Sequence, residues 1–84
     1  AEYAYSHHER WDGKGYPRGL EGEQIPLIAR IISIAETYDR VLNRGDGPFE
    51  ERKRAALKAI KDSAGKQFDP ELAGLFVQTM DKSA

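Results

Sequence analysis

Two adjacent histidines, His7 and His8, are the only histidines of the chain, and they immediately precede a glycine-rich segment. Imidazole nitrogens bind divalent transition metals such as Mn, Fe and Zn, especially beside carboxylates. Neighbouring residues of a helix diverge by roughly 100°, so the pair suits two ions about 3.5–4 Å apart better than one ion. The alternative is that both rings lie on the surface without a ligand role.

Two carboxylates, Glu36 and Asp39, occur three residues apart in a stretch whose apolar residues recur with helical spacing. On a helical wheel with Ile28 at zero, Asp39 falls at roughly 20°, inside the apolar sector, and Glu36 at roughly 80°, at its edge. A carboxylate that faces an apolar core needs a cation, a metal or hydrogen-bond donors. We therefore expect Asp39 to face inward, where it either pairs with an arginine or backbone N–H groups or binds a metal.

The segment between the histidines and these acids is predicted to be a long loop. Residues 11–24 hold four of the eight glycines together with Pro17. This composition favours turns, and loops longer than ~12 residues are more often functional or disordered than merely connecting. The alternative is an ordinary turn whose aromatic side chain, Tyr16, covers the core.

Around this loop the sequence predicts an all-α domain of about four helices, because no stretch alternates with period two. Pro26 is predicted to be the first residue of a helix, and the apolar residues from 27 to 42 have the clearest amphipathic spacing. In the last helix, Asp69-Pro70-Glu71 supplies an N-cap, a first-turn proline and an acid that suits the helix dipole. The other two helices are expected over residues 1–10 and from about 49 to 63, the latter ended by Gly65.

Composition excludes several classes of protein. The 84 residues include 13 basic and 14 acidic side chains, for a net charge of −1, and no cysteine. A chain of this size forms one small domain. The balanced charge argues against duplex nucleic acid as the main partner, and no apolar run approaches the ~20 residues of a membrane span. Because the first residue is Ala1 rather than methionine, we expect a piece of a longer protein.

The order of these motifs is similar to that of a known family. Residues 7–39, HHERWDGKGYPRGLEGEQIPLIARIISIAETYD, resemble the second half of the HD-GYP family, with its HHE, DGxGYP and IP-x-x-ARI segments and a closing ADxxD. GKQFDPEL at 65–72 resembles the family's G-x-x-F-D-P motif. The resemblance implies an all-helical, metal-dependent phosphodiesterase that hydrolyses cyclic di-GMP in signal transduction in the bacterial cytoplasm.

The resemblance also assigns roles to individual residues. It implies a pair or cluster of Fe or Mn ions in the complete domain, with His7, His8 and position 36 as ligands. With Asp39 from the helical wheel, the candidate metal set is His7, His8, Glu36 and Asp39. The expected substrate-binding residues are Gly15, Tyr16 and Pro17, at the mouth of the site, and Arg44, from a segment that holds phosphates in the family. Tyr16 would offer its aromatic face to a guanine base.

The chain departs from the family pattern in three places. The family's upstream His-Asp pair is absent, Glu36 stands where the family has aspartate, and NRGDGPFEER replaces the basic DRPYR-like segment. We therefore predict that residues 1–84 are the C-terminal portion of an HD-GYP-like domain and have no catalytic activity alone. One alternative is a non-catalytic module whose GYP loop docks a GGDEF-domain protein. Another is self-association through an exposed apolar face.

Overall fold

The structure is a computed structural model that describes residues 8–16 and 18–82. Within these ranges it contains three α-helices and no strand, so the predicted all-α class is confirmed. The helices are α1 (Leu27–Arg44), α2 (Phe49–Asp62) and α3 (Pro70–Asp81), and a short 3-10 turn over Gly22–Gln24 precedes them. None of the helices in these ranges is long and apolar enough to cross a membrane.

Most of the helix expected over residues 1–10 falls outside the described residues, and the part that is described is not helical. Residues 1–7 lie outside the described ranges, and residues 8–10 form a turn and irregular backbone. Directly after it, the N–H groups of Trp11 and Asp12 donate to the carbonyls of Gln67 and Lys66, at 3.1 and 2.9 Å. These donors therefore bind the α2–α3 connection instead of the preceding helical turn.

The N-terminus of α3 follows the sequence prediction closely. The side chain of Asp69 accepts hydrogen bonds from the backbone N–H groups of Glu71 and Leu72, and Pro70 is the first helical residue. Gly65, which follows α2, has a φ of 82°, a left-handed conformation that glycine adopts without steric cost. The cap of Asp69 therefore defines the start of α3, and Gly65 allows the turn that follows α2.

The core lies between the three helices and the segment before α3. Its buried cluster comprises Ile34, Ile60, Phe68 and Ala73, with Tyr38, Ala64, Leu72, Phe76 and Val77 packed around it. Helix α1 buries Ala29, Ile34 and Thr37, whereas Ile28 and Ile31 are 48% and 47% exposed. The predicted inward sector of α1 is therefore wrong, because α2 and α3 pack against its other side.

An ion pair connects the start of α1 to the start of α3. Nη1 of Arg30 lies 2.8 Å from Oδ2 of Asp69, and Nε of Arg30 donates to the carbonyl of Ile25. Both charged side chains are largely buried, with 15% and 8% of their surfaces exposed. The pair fixes the beginning of α1, where the glycine-rich loop ends, relative to the rest of the fold.

Candidate functional site

Glu9 organises the glycine-rich loop. Its side chain is 97% buried, since only 3% of the residue is exposed. Its two carboxylate oxygens accept hydrogen bonds from the backbone N–H groups of Arg18 and Leu20, each at 2.8 Å. These two charge-assisted bonds attach the second half of the loop to Glu9. The loop is thereby folded back over the segment that carries His8.

Gly15 lets the loop touch this segment directly. A Cβ atom at this position would lie 2.5 Å from the carbonyl oxygen of His8 and 2.5 Å from the amide nitrogen of Arg10. The next residue, Tyr16, donates its N–H to the His8 carbonyl at 3.4 Å. Gly15 was expected to be one of the substrate-binding residues. In the structure, the absence of a side chain at Gly15 lets the backbone of the loop contact the backbone of His8 and Arg10.

A surface ion pair completes the loop. Nη2 of Arg10 lies 3.0 Å from Oδ2 of Asp12, and Asp12 also accepts a hydrogen bond from the N–H of Lys14. The hydrogen bond from Arg10 holds the pKa of Asp12 below its ordinary value, and the same bond raises the pKa of Arg10. Both groups are therefore charged throughout the neutral pH range.

A cleft of about 240 Å³ lies between the loop and α1. On the loop side, the rings of His8 and Tyr16 stack, with centroids 5.0 Å apart and an interplanar angle of 12°. On the helix side, the lining includes Glu36 and Arg40. Among residues 8–16 and 18–82, the lining consists of His8, Glu9, Arg10, Tyr16, Ser33, Glu36, Thr37, Arg40 and Gln67.

The cleft brings an imidazole and a carboxylate, His8 and Glu36, to the same cavity. Both are donors that suit Mn, Fe or Zn, so the residues present fit part of a metal site. No group of three or more metal-binding side chains occurs in the part of the chain that the structure describes. His7, the expected neighbouring ligand, and Pro17, the expected loop residue, lie outside that part.

The two other predicted residues of α1 do not line the cleft. Asp39 is exposed, and its Oδ1 accepts a hydrogen bond from Nδ2 of Asn43 at 2.9 Å. The expectation that this carboxylate faces the core is therefore wrong, because the packed side of α1 is not the Ile28 sector. Arg44 is exposed at the last position of α1.

Sequence reasoning missed two contributors to the cleft. Glu9 was part of the HHE motif, but nothing local shows that its acceptors would pair with donors nine and eleven residues away. Arg40 was placed on the side of α1 away from the apolar sector. The signal was present in the wheel, since Glu36, Arg40, Ser33 and Thr37 span roughly 80° to 180° and form one polar stripe.

Comparisons with known proteins agree with this architecture. The family model of the HD domain matches residues 1–72, and the chain belongs to the HD domain family. A cyclic di-GMP phosphodiesterase of Thermotoga maritima is 39% identical over 80 residues, which cover 93% of this chain and 21% of that protein. The 3'3'-cGAMP-specific phosphodiesterase 2 of Vibrio cholerae is 38% identical over 84 residues, which cover 96% of this chain and 16% of that protein.

A solved structure has the same fold. The crystal structure of a cyclic GMP-AMP specific phosphodiesterase of V. cholerae superposes with a TM-score of 0.85 at 30% identity, covering 96% of this chain and 18% of that one. These relatives confirm the resemblance to HD-GYP proteins, and phosphodiesterases of the HD domain family are generally metal-dependent. The chain spans about a fifth of the length of the Thermotoga relative.

Proposed function

We propose that this chain is part of a metal-dependent HD-GYP phosphodiesterase that hydrolyses cyclic di-GMP. The observation that carries the proposal is the shared cleft, in which the imidazole of His8 and the carboxylate of Glu36 line one cavity beneath the glycine-rich loop. Several relatives are named as phosphodiesterases of cyclic dinucleotides, which supports this class of substrate.

Different residues of the chain would bind the metal and the substrate in such a site. His8 and Glu36 would hold one divalent ion, with Fe or Mn as the expected metal. When bound there, such an ion would neutralise the charge of a phosphodiester and would lower the pKa of a water ligand, so that hydroxide would be available near neutral pH. Tyr16 is 63% exposed while its ring stacks on His8, which fixes an aromatic surface at the mouth of the cleft. A guanine base can stack on that surface.

We further propose that these residues form the C-terminal portion of a larger catalytic domain and do not hydrolyse the substrate alone. Two donors from the described residues are fewer than a two-metal site requires. An apolar groove of about 300 Å³ between α1 and α3 is open on the surface, as expected for a face that packs against further helices. We also propose that the longer protein is cytoplasmic, as the family resemblance implies.

The test is hydrolysis of cyclic di-GMP by the full-length protein loaded with Mn or Fe. We expect a linear dinucleotide as product, since water adds across one P–O bond. His8→Ala and Glu36→Gln should each lower kcat/KM by about a hundredfold or more, because removal of a ligand exceeds the 10–100-fold effect of its supporting residues. Asp39→Asn, outside the cleft, is the matched control and should stay within about threefold of the unmodified protein. Equal losses in all three variants would contradict the proposal.

A second candidate function is a non-catalytic module that docks a GGDEF-domain protein through the loop. It is favoured by the 63% exposure of Tyr16, a residue type that often anchors protein interfaces. Tyr16→Ala should then weaken capture of the partner at least about tenfold without changing metal content. Unchanged capture would exclude this function.

A further inference from the structure

Arg40 occupies a position in the cleft that no metal role requires. It lies one helical turn after Glu36, so the two side chains leave α1 on the same side. Both line the cleft, and Arg40 is exposed. Arg40 has no hydrogen-bond or ion-pair partner within residues 8–16 and 18–82.

The other arginine of the cleft is already engaged. Nε and Nη2 of Arg10 both donate to the carboxylate of Asp12, at 3.1 and 3.0 Å. Elsewhere on α1, Arg30 is held by Asp69, and Arg44 does not line the cleft. Of the two arginines in the cleft's described lining, Arg40 is therefore the one whose guanidinium is available to a ligand.

The charge and shape of this group select an anion with several oxygens. A guanidinium presents parallel N–H donors in a planar fork that matches phosphate, and such bonds are charge-assisted. A cyclic dinucleotide contains two phosphodiesters. When one of them lies at the ion held by His8 and Glu36, the second one remains as an anion that needs its own partner. The rise of four helical residues, about 6 Å, separates Arg40 from Glu36 along α1.

We propose that Arg40 binds the phosphodiester that is not cleaved and thereby selects cyclic dinucleotides over substrates with a single phosphate. This inference rests on the proposed function, because it assumes that the cleft is the substrate site. It assigns the phosphate contact to the cleft itself, whereas the family resemblance assigns it to Arg44, at the C-terminal end of α1.

The test compares two substrates in the full-length protein: cyclic di-GMP, with two phosphodiesters, and bis(p-nitrophenyl) phosphate, with one. Arg40→Ala should raise KM for cyclic di-GMP by about ten- to a hundredfold, as expected for loss of a charged hydrogen-bonded contact. This loss should exceed the loss on the smaller diester by about tenfold or more. Arg40→Lys, which keeps the charge without the fork, should restore part of the affinity. Arg54→Ala, an exposed arginine of α2 outside the cleft, is the control.

Equal losses on both substrates would overturn the inference, as would an unchanged KM for cyclic di-GMP. Titration calorimetry of cyclic di-GMP separates this inference from the proposed function. If the unmodified protein binds the nucleotide but does not hydrolyse it, the proposed function fails. The dissociation constants of the Arg40 variants then test the role of Arg40, because Arg40→Ala should still weaken binding of cyclic di-GMP by about tenfold or more. If the unmodified protein does not bind cyclic di-GMP at all, both proposals are wrong.

Discussion

Glu9 is the residue on which the shape of the cleft depends most. Its carboxylate accepts from two backbone donors of the loop while the residue is 3% exposed. A buried acceptor of this kind cannot be replaced by water without opening the loop. His8 and Tyr16, whose rings stack at the cleft, lie on either side of Glu9 in the sequence.

Glu9→Gln tests this role. The amide NH₂ group would face one of the two backbone donors, so one hydrogen bond is lost and a donor is left unpaired. We expect the free energy of unfolding to fall by about 1.5–3 kcal/mol, the range for hydrogen bonds to charged groups. Urea unfolding measures this change, and hydrogen exchange at the amides of Arg18 and Leu20 should accelerate. Glu23→Gln, an exposed glutamate nearby, is the control, and an equal effect there would contradict the role of Glu9.

Among the helices, α3 is the element that local sequence specifies best. Asp69 caps the helix and also pairs with Arg30 at 2.8 Å, so one side chain fixes both the start of α3 and its attachment to α1. The N-cap contributes about 0.5–2 kcal/mol, and breaking a buried pair by removing one partner costs about 3–5 kcal/mol.

Asp69→Ala should therefore lower the free energy of unfolding by about 3–5 kcal/mol, since the cap is lost and the Arg30 charge is left without its partner. Asp69→Asn keeps a capping acceptor and should cost less. Chemical denaturation followed by circular dichroism measures both values. A loss below about 1 kcal/mol for Asp69→Ala would show that the ion pair does not hold α1 to α3.

Helix α1 shows which parts of an element can be predicted from sequence. Pro26 was expected at the first helical position and the last helical residue near 42. In the structure Pro26 is the N-cap, and the helix runs from Leu27 to Arg44, so each end was predicted to within two residues. The packed side was not predictable in the same way. Apolar periodicity shows that a helix has two sides, but it does not show which neighbours are present. Ile28 is thus exposed although it lies at the centre of the apolar sector.

The candidate site was likewise predictable only in part from the sequence. The motif residues His8 and Glu36 were predicted to share a site, and they line one cleft. Asp39 was assigned to that site through the wheel, and its side chain is instead exposed beside Asn43. The contacts of Glu9 could not be predicted, because they join backbone and side-chain atoms across a loop whose path only the folded structure defines.

At the scale of the whole molecule, the open face between α1 and α3 is the main unexplained surface. Ile31 and Leu75 are 47% and 54% exposed and line the apolar groove between these helices. If further helices of the domain cover this groove, the same substitution must have different effects in the short chain and in the longer protein.

Ile31→Lys combined with Leu75→Lys tests this account. In the 84-residue chain the changes should reduce the binding of an apolar dye and shift the free energy of unfolding by about 0.5 kcal/mol at most. In the full-length protein they should cost more than about 2 kcal/mol, because unpaired charges would be buried. Ala55→Lys, at an exposed position of α2, is the control. Equal small effects in both proteins would show that the groove is open to solvent in each.

The proposal that His8 and Glu36 bind the same ion is tested most directly by the affinity of the full-length protein for Mn²⁺. This affinity is measured by titration with detection of the free ion. Each of His8→Ala and Glu36→Ala should weaken binding at least about a hundredfold, and the double variant should lose little more than either, because the two donors act as a unit. Asp39→Ala should leave the affinity within about threefold. Unchanged affinity in His8→Ala or Glu36→Ala, or fully additive losses, would contradict the claim.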